Sequence, residues 1–226
     1  VTDDTVEPST PGHVVLLGDS IFDNKSYVGG GPDVVAQLRE ELAPGWKCTL
    51  LAVDGDVTTG VVRQVRSLPP GATHLVVSVG GNDALGYAHL LQQKAGSVAE
   101  ALSILGDAQD QFAMNYASTI RAVSVEGLAL TLCTIYDTPP SDPDQRLVRT
   151  ALALFNDQIT RAAFSFGASL IDLRLICNED RDYANPVEPS VRGGRKIAQA
   201  IAAAIHPEQD ACRSLIIGGR RCAASR

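Results

Sequence analysis

Five short apolar runs alternate along the chain with segments of helical period, and this alternation constrains the fold most. The runs lie at residues 13–17, 47–53, 74–79, 128–135 and 169–176. Each is rich in Val, Leu or Ile and short enough for a strand buried on both faces. Between them Val34, Val35, Leu38 and Leu42 recur at helical spacing after Pro32, which suits a first helical position, and Pro44-Gly45 ends that helix. A helix is expected over 58–68, with Val61, Val62 and Val65 inward. A longer one spans 97–124, with a possible break at Gly106. Another spans 142–166, capped by Asp142, and a last one follows Ser190 through Ile205. Strands alternating with helices imply a parallel sheet covered on both faces. Right-handed crossovers then favour a three-layer α/β/α sandwich, its five strands in the flavodoxin-like order 2-1-3-4-5.

Length and charge bound the rest. The 226 residues fit one domain, 1–226, with a loose arm at 1–11 and a tail at 207–226. Such a chain buries a substantial core without disulfide staples. A net charge of −7 argues against nucleic acid as partner, because a phosphate backbone needs a basic face. No apolar run reaches membrane-spanning length, so no transmembrane segment is expected. Residues 1–8 are acidic and polar, unlike a signal peptide, which points to the cytoplasm. Of five cysteines, Cys48, Cys133 and Cys177 sit in apolar runs as buried thiols, while Cys212 and Cys222 flank a tail segment and can pair in an oxidising compartment. No Cys or His spacing suggests a metal site, and no cofactor is implied.

Four stretches can reach one sheet edge. Ser20 follows the first strand, Gly55 the second and Asn82 the third, and Glu188 precedes the last helix. In a parallel sheet all four lie at the carboxyl edge, where ligands bind. Asp19, in Gly18-Asp19-Ser20, can bond nearby backbone and hold the loop. Asp180-Arg181-Asp182 and Tyr183 read as surface, and Asp23 and Asn24 either bond the loop or line a pocket.

The chain resembles the SGNH (GDSL) hydrolases over about residues 12–206. Gly18-Asp19-Ser20 matches the nucleophile block, Gly55 the second-block glycine, and Gly80-Gly81-Asn82-Asp83 the G-x-N-D block. The resemblance implies hydrolysis of a small or medium acyl ester, with Ser20 as nucleophile. It implies an oxyanion hole of the Ser20 and Gly55 N–H groups and the Asn82 amide. The last block departs from the family pattern. Where Asp-x-x-His is expected, this chain has Asn185-Pro186-Val187-Glu188. His13 and His74 start strands at the far edge, and His206 ends the last helix; only His89 can reach the site, through a loop.

A Glu base starts about two pKa units below His, a deficit of roughly 3 kcal/mol in proton affinity. Burial must raise it. An amide at 185 can orient Glu188 without repelling it. The reading is therefore a serine esterase with Glu188 as base and Asn185 beside it. The rival is a weak or inactive binding module for an acyl or sugar ester. A flavodoxin-like cofactor binder is disfavoured, because the loop after the first strand has too few Gly, Ser and Thr residues and two acids.

Overall fold

The computed structural model describes residues 11–125 and 127–206. Cys212, Cys222, Ile216, Ile217 and most of the expected arm and tail lie outside the described residues. The main sheet has five parallel strands: β1 His13–Gly18, β2 Lys47–Leu50, β3 His74–Ser78, β4 Ala129–Cys133 and β5 Ser169–Ile171. Their order is β2-β1-β3-β4-β5, as the alternation of runs predicts.

Strand β1 shows why three layers form. Successive side chains of a strand point to opposite faces. Val14 and Leu16 join a core with helices α1 (Val34–Glu41) and α7 (Val191–Ile205), through Val34, Leu38, Ile197 and Ile201. Val15 and Leu17 join the other core, with α4 (Val98–Val123) and α5 (Gln145–Phe166), through Phe112, Ile120 and Ile159. All four β1 side chains have no solvent exposure, so a near-continuous apolar run was required there. The remaining helices are short: α2 Val61–Gln64, α3 Gly81–Gly86 and α6 Leu173–Ile176. A small antiparallel hairpin, β6 Tyr183–Asn185 with β7 Glu188–Pro189, precedes α7. Among the described residues no helix is long and apolar enough to cross a membrane. Cys48, Cys133 and Cys177 are free and buried.

Several boundaries differ from the sequence expectation, each for a local reason. Pro32 precedes α1 rather than starting it, because the Asp33 side chain caps the helix at the Ala36 N–H (2.8 Å). Residues 58–67 form two 3₁₀ turns, Thr58–Gly60 and Val65–Ser67, around α2 instead of one helix. Helix α4 runs through Gly106 without a break. Helix α5 starts at Gln145, because Asp142 accepts the Asp144 N–H (2.9 Å) in the turn before it. Strand β4 stops at Cys133, and the Asn156 side chain then holds both the N–H and the C=O of Ile135. Strand β5 ends early because Asp172 caps α6, while Thr134 Oγ1 donates to Asp172 and accepts from Leu173 N–H. Ser190 caps α7 as expected, at the Gly193 N–H (3.2 Å).

Two glycines separate the roles that glycine plays here. Gly106 sits mid-helix with open space around its missing side chain. Gly18 has φ +133, and a Cβ there would collide with the Ser78 carbonyl. Gly106→Ala should raise the unfolding free energy by up to about 1 kcal/mol. Gly18→Ala should lower it by about 2 kcal/mol or more. Urea unfolding of the two variants checks both signs; a stable Gly18→Ala protein would contradict the close approach of Gly18 to Ser78 at the end of the β1–β3 pair.

Candidate active site

Ser20 leaves the carboxyl end of β1 on a tightly held turn. Asp19 N–H donates to the Ser78 carbonyl (3.1 Å), and the Phe22 and Asp23 N–H groups return to the Asp19 carbonyl. The Gln64 side chain grips Gly18 on both sides, accepting its N–H and donating to its C=O, each at 2.8 Å. The same Gln64 amide donates to Asp56 (2.7 Å), in the loop after β2. Asn82 in turn donates to the Asp56 carbonyl (2.9 Å). Asp83 accepts both the N–H and the hydroxyl of Thr58, at 2.8 and 2.9 Å. Three loops from three strands are thereby tied into one unit.

Glu188 arrives from the other side of the sheet edge. It opens β7, and the turn before it is closed by Asn185 Oδ1 accepting the Val187 N–H (2.9 Å). Tyr136 donates to the Val187 carbonyl (2.9 Å), and Asn24 donates to the Pro189 carbonyl (3.3 Å). Asp182, with no exposure at all, anchors the base of the hairpin. It accepts from Lys196 (2.7 Å), Arg192 (3.3 Å) and the N–H groups of Asn178 and Glu179. Its carbonyl receives the Ser190 N–H (2.9 Å). Tyr183 is buried on Tyr136 in an edge-to-face pair. The surface reading of Asp182 and Tyr183 is therefore corrected: Arg192 and Lys196 of α7 cover Asp182, and Tyr136, in the loop after β4, covers Tyr183.

Two acids of this site are held out of water. Glu188 is 7% exposed, and its Oε2 has no hydrogen-bond partner among the described residues. Burial pushes its pKa up to about 7, a hydrogen bond from Ser20 pulls the other way, and the Asp54 charge adds to the rise. Asp19 is raised further, to about 8. Burial is the main cause, the Ile21 N–H opposes it, and the Glu188 and Asp83 charges reinforce it.

Ser20, Asn82, Asp19 and Glu188 line one cavity. Gly55 and Asn185 do not. Gly55 is exposed at φ +80 with open space about it, so its glycine answers the turn and not a close approach. Asn185 is exposed and its side-chain oxygen closes the turn, so the expectation that it orients Glu188 is replaced by a role in shaping the hairpin. Asp23 accepts the Asp54 N–H (3.0 Å), and fully buried Asn24 bridges Pro189 and the Val34 N–H, so both hold loops. No histidine lines the cavity. His13 pairs with Thr49 on the sheet, His74 and His206 pack on Trp46, and His89 is exposed and bonds the Gly86 carbonyl.

The sequence reading missed Gln64, Asp56, Asp83 and Tyr136 as parts of the site. Gln64 carried a signal: it stands three residues after Val61, on the face that the valines turn inward. A polar residue there must find a buried partner.

Solved structures share the fold. An extracellular lipase from Streptomyces rimosus superposes with TM-score 0.61 at 14% identity, over 85% of this chain and 99% of that one. A lipase/acylhydrolase from Enterococcus faecalis gives TM-score 0.62 at 17% identity, over 90% and 100%. A carbohydrate acetylesterase from Sinorhizobium meliloti gives 0.60 at 11% identity, over 87% and 99%. No curated protein sequence matches this one. The GDSL-like lipase/acylhydrolase family, by contrast, matches at residues 16–211, and with that much of its length inside the match the chain belongs to this family.

Proposed function

We propose that the protein hydrolyses a small or medium carboxylic ester through an acyl-enzyme on Ser20, with Glu188 as the general base. One observation carries the reading: Ser20 and the buried carboxyl of Glu188 line the same cavity at the carboxyl edge of the sheet. At about 7, the pKa of Glu188 lies close to the ordinary histidine value near 6.5, which removes most of the carboxylate's deficit as a base. Family membership supports the reaction class.

In this mechanism Glu188 takes the Ser20 proton as Oγ attacks the ester carbonyl. The oxyanion is received by the Ser20 N–H and by the Asn82 amide, both in the cavity lining, whereas Gly55 lies outside it. Asn82 uses one N–H on the Asp56 carbonyl, which fixes its plane and leaves the second for the substrate. Collapse expels the alcohol, which takes the proton back from Glu188. Water then attacks the acyl-enzyme as Glu188 accepts its proton, and collapse breaks the bond to Ser20 Oγ, which takes that proton back as the carboxylic acid leaves. Protonated Glu188 is neutral, so the oxyanion gains no nearby cation from the base. The donors of the hole carry that load. Asn82→Ala should therefore lower kcat by roughly 10²–10³, with little change in substrate binding.

The pH dependence follows from the same group. Glu188 must be ionised to act, so kcat/KM should rise about tenfold per unit of pH below about 7 and level off above it. Glu188→Gln keeps the shape and loses the basicity. Ester turnover should drop by roughly 10²–10⁴ and the inflection near 7 should vanish. A fluorophosphonate probe should label Ser20 in the parent and nothing in Ser20→Ala. Absence of labelling in folded protein would instead favour a ligand-binding module.

Stability should report the same proton. Folded Glu188 holds its proton up to about 7, against an ordinary value of 4.5. Between these values the native state binds more protons than the unfolded chain, so this group lowers stability as pH rises through the window. The full effect is on the order of 3 kcal/mol. Relative to the parent, Glu188→Gln should gain stability between pH 4 and pH 8 in urea titrations, up to that amount. An equal difference at both pH values would contradict a raised Glu188.

A further inference from the structure

The cavity that Ser20 lines has a volume of about 330 Å³. Five carboxyl residues line it, Asp19, Asp137, Asp142, Asp144 and Glu188, and among the described residues no Lys, Arg or His does, so any charge on its wall is negative. Asp19 and Glu188 belong to the chemistry at Ser20. Asp142 spends one oxygen on the Asp144 N–H (2.9 Å) before α5, and Asp144 is exposed. Asp137 and the adjacent Thr138 differ from these. Thr138 is 9% exposed, and neither its Oγ1 nor Asp137 Oδ1, both shut off from solvent, has a hydrogen-bond partner among the described residues.

The sequence explains why these two atoms are left over. An Asp or Thr side chain in a loop ordinarily takes the backbone N–H two residues on. Here those positions are Pro139 and Pro140, which have no N–H to give. No basic side chain steps in. The charges of Arg149 and Arg174 act on Asp137, but Arg149 is exposed and Arg174 is held by Asp172 at 2.6 and 2.7 Å. A buried oxygen without a partner is disfavoured, a carboxylate oxygen most of all, so the pair calls for a donor brought from outside. A hydroxyl offers one hydrogen. A primary ammonium offers three, and its charge is also attracted to Asp137, Asp142 and Asp144, more strongly in a partly dry site than in water. A phosphate or carboxylate offers no donor and meets like charge.

We infer that Asp137 and Thr138 form an ammonium-binding subsite, and that the substrate is an ester carrying a primary ammonium group at the end of a short hydrocarbon spacer. Asp137 Oδ1 and Thr138 Oγ1 accept its N–H donors. The apolar part of the wall, through Leu105, Leu152 and Phe155, suits the spacer. The inference rests on Ser20 as the nucleophile and goes beyond that reading by fixing the charge of the substrate. The ammonium belongs either to the acyl chain or to the alcohol. Its chemistry at Asp137 is the same in both, and the two sources are told apart by which ester pair responds.

The experiment uses two pairs of esters that differ only in ammonium against methyl. Ethyl ω-aminohexanoate against ethyl heptanoate reads the acyl side, and ω-aminopentyl butyrate against hexyl butyrate reads the alcohol side. The matching ω-hydroxy esters complete each set. In one pair, kcat/KM of the parent should favour the ammonium ester by roughly 10–100-fold. Asp137→Asn should cut that preference by roughly tenfold, and Thr138→Val by roughly 2–10-fold. The preference is a ratio within one protein, so a partial loss of folded enzyme cancels. Circular dichroism identifies a variant that does not fold, and the other then carries the test. Binding is read separately by calorimetry of the same esters in the Ser20→Ala background. Ammonium-ester binding that Asp137→Asn weakens supports the subsite even if no ester turns over, in which case only the catalytic reading falls. An active parent that treats ammonium and methyl alike, or prefers methyl or hydroxyl, overturns the subsite and leaves catalysis standing. An ammonium preference that both folded variants keep does the same. Neither turnover nor ammonium-ester binding overturns both.

Discussion

Withdrawing a carboxyl group from water costs more when it ionises, and the candidate site depends on that cost being borne at Glu188 and avoided nearby. Glu188 and Asp182 lie six residues apart, and both are buried. At Asp182 burial also pushes upward, but the Lys196 ammonium and the Glu179 and Asn178 N–H groups outweigh it and hold the carboxyl below its usual range. At Glu188 no cation among the described residues offsets burial, and burial prevails. One acid is thereby fixed as a charged anchor. The other is left poised near neutrality, where a proton can move in either direction.

The anchor explains how a two-residue strand can hold the Glu188 side chain still. Arg192 and Lys196 reach back from α7 to Asp182, and a Cβ on Gly193 would collide with the Asp182 carbonyl, so helix and hairpin are pressed together. Tyr136 and Asn24 fix the hairpin from the β4 and β1 sides. On the serine side, Gln64 does the corresponding work by clamping Gly18 and tying it to Asp56. Both sets of bonds join segments far apart in sequence. The geometry between Ser20 and Glu188 is therefore a property of the whole edge of the sheet.

That distance in sequence also decides what could be read beforehand. Strand order and the carboxyl-edge placement of Ser20, Asn82 and Glu188 follow from local apolar runs and the turns after them, which are present in the chain itself. The apolar runs extend past the ends of β4 and β5 because a side-chain bond between Thr134 and Asp172, 38 residues apart, takes over from the ladder. For Asp182 and Tyr183, charge and loop context suggest solvent, while their burial comes from Lys196 and Tyr136. Gly55 and Asn185 lie in loops at the same sheet edge, but each shapes a turn outside the cavity, a local role that motif spacing does not reveal.

The protonation of Glu188 is the most direct test. Infrared difference spectra between the parent and Glu188→Gln isolate the carboxylic C=O band of this one side chain, which disappears when it ionises. The account predicts a midpoint close to 7 for that band in the free protein. A midpoint at the ordinary glutamate value, near 4.5, would show a solvated acid and remove Glu188 as the base.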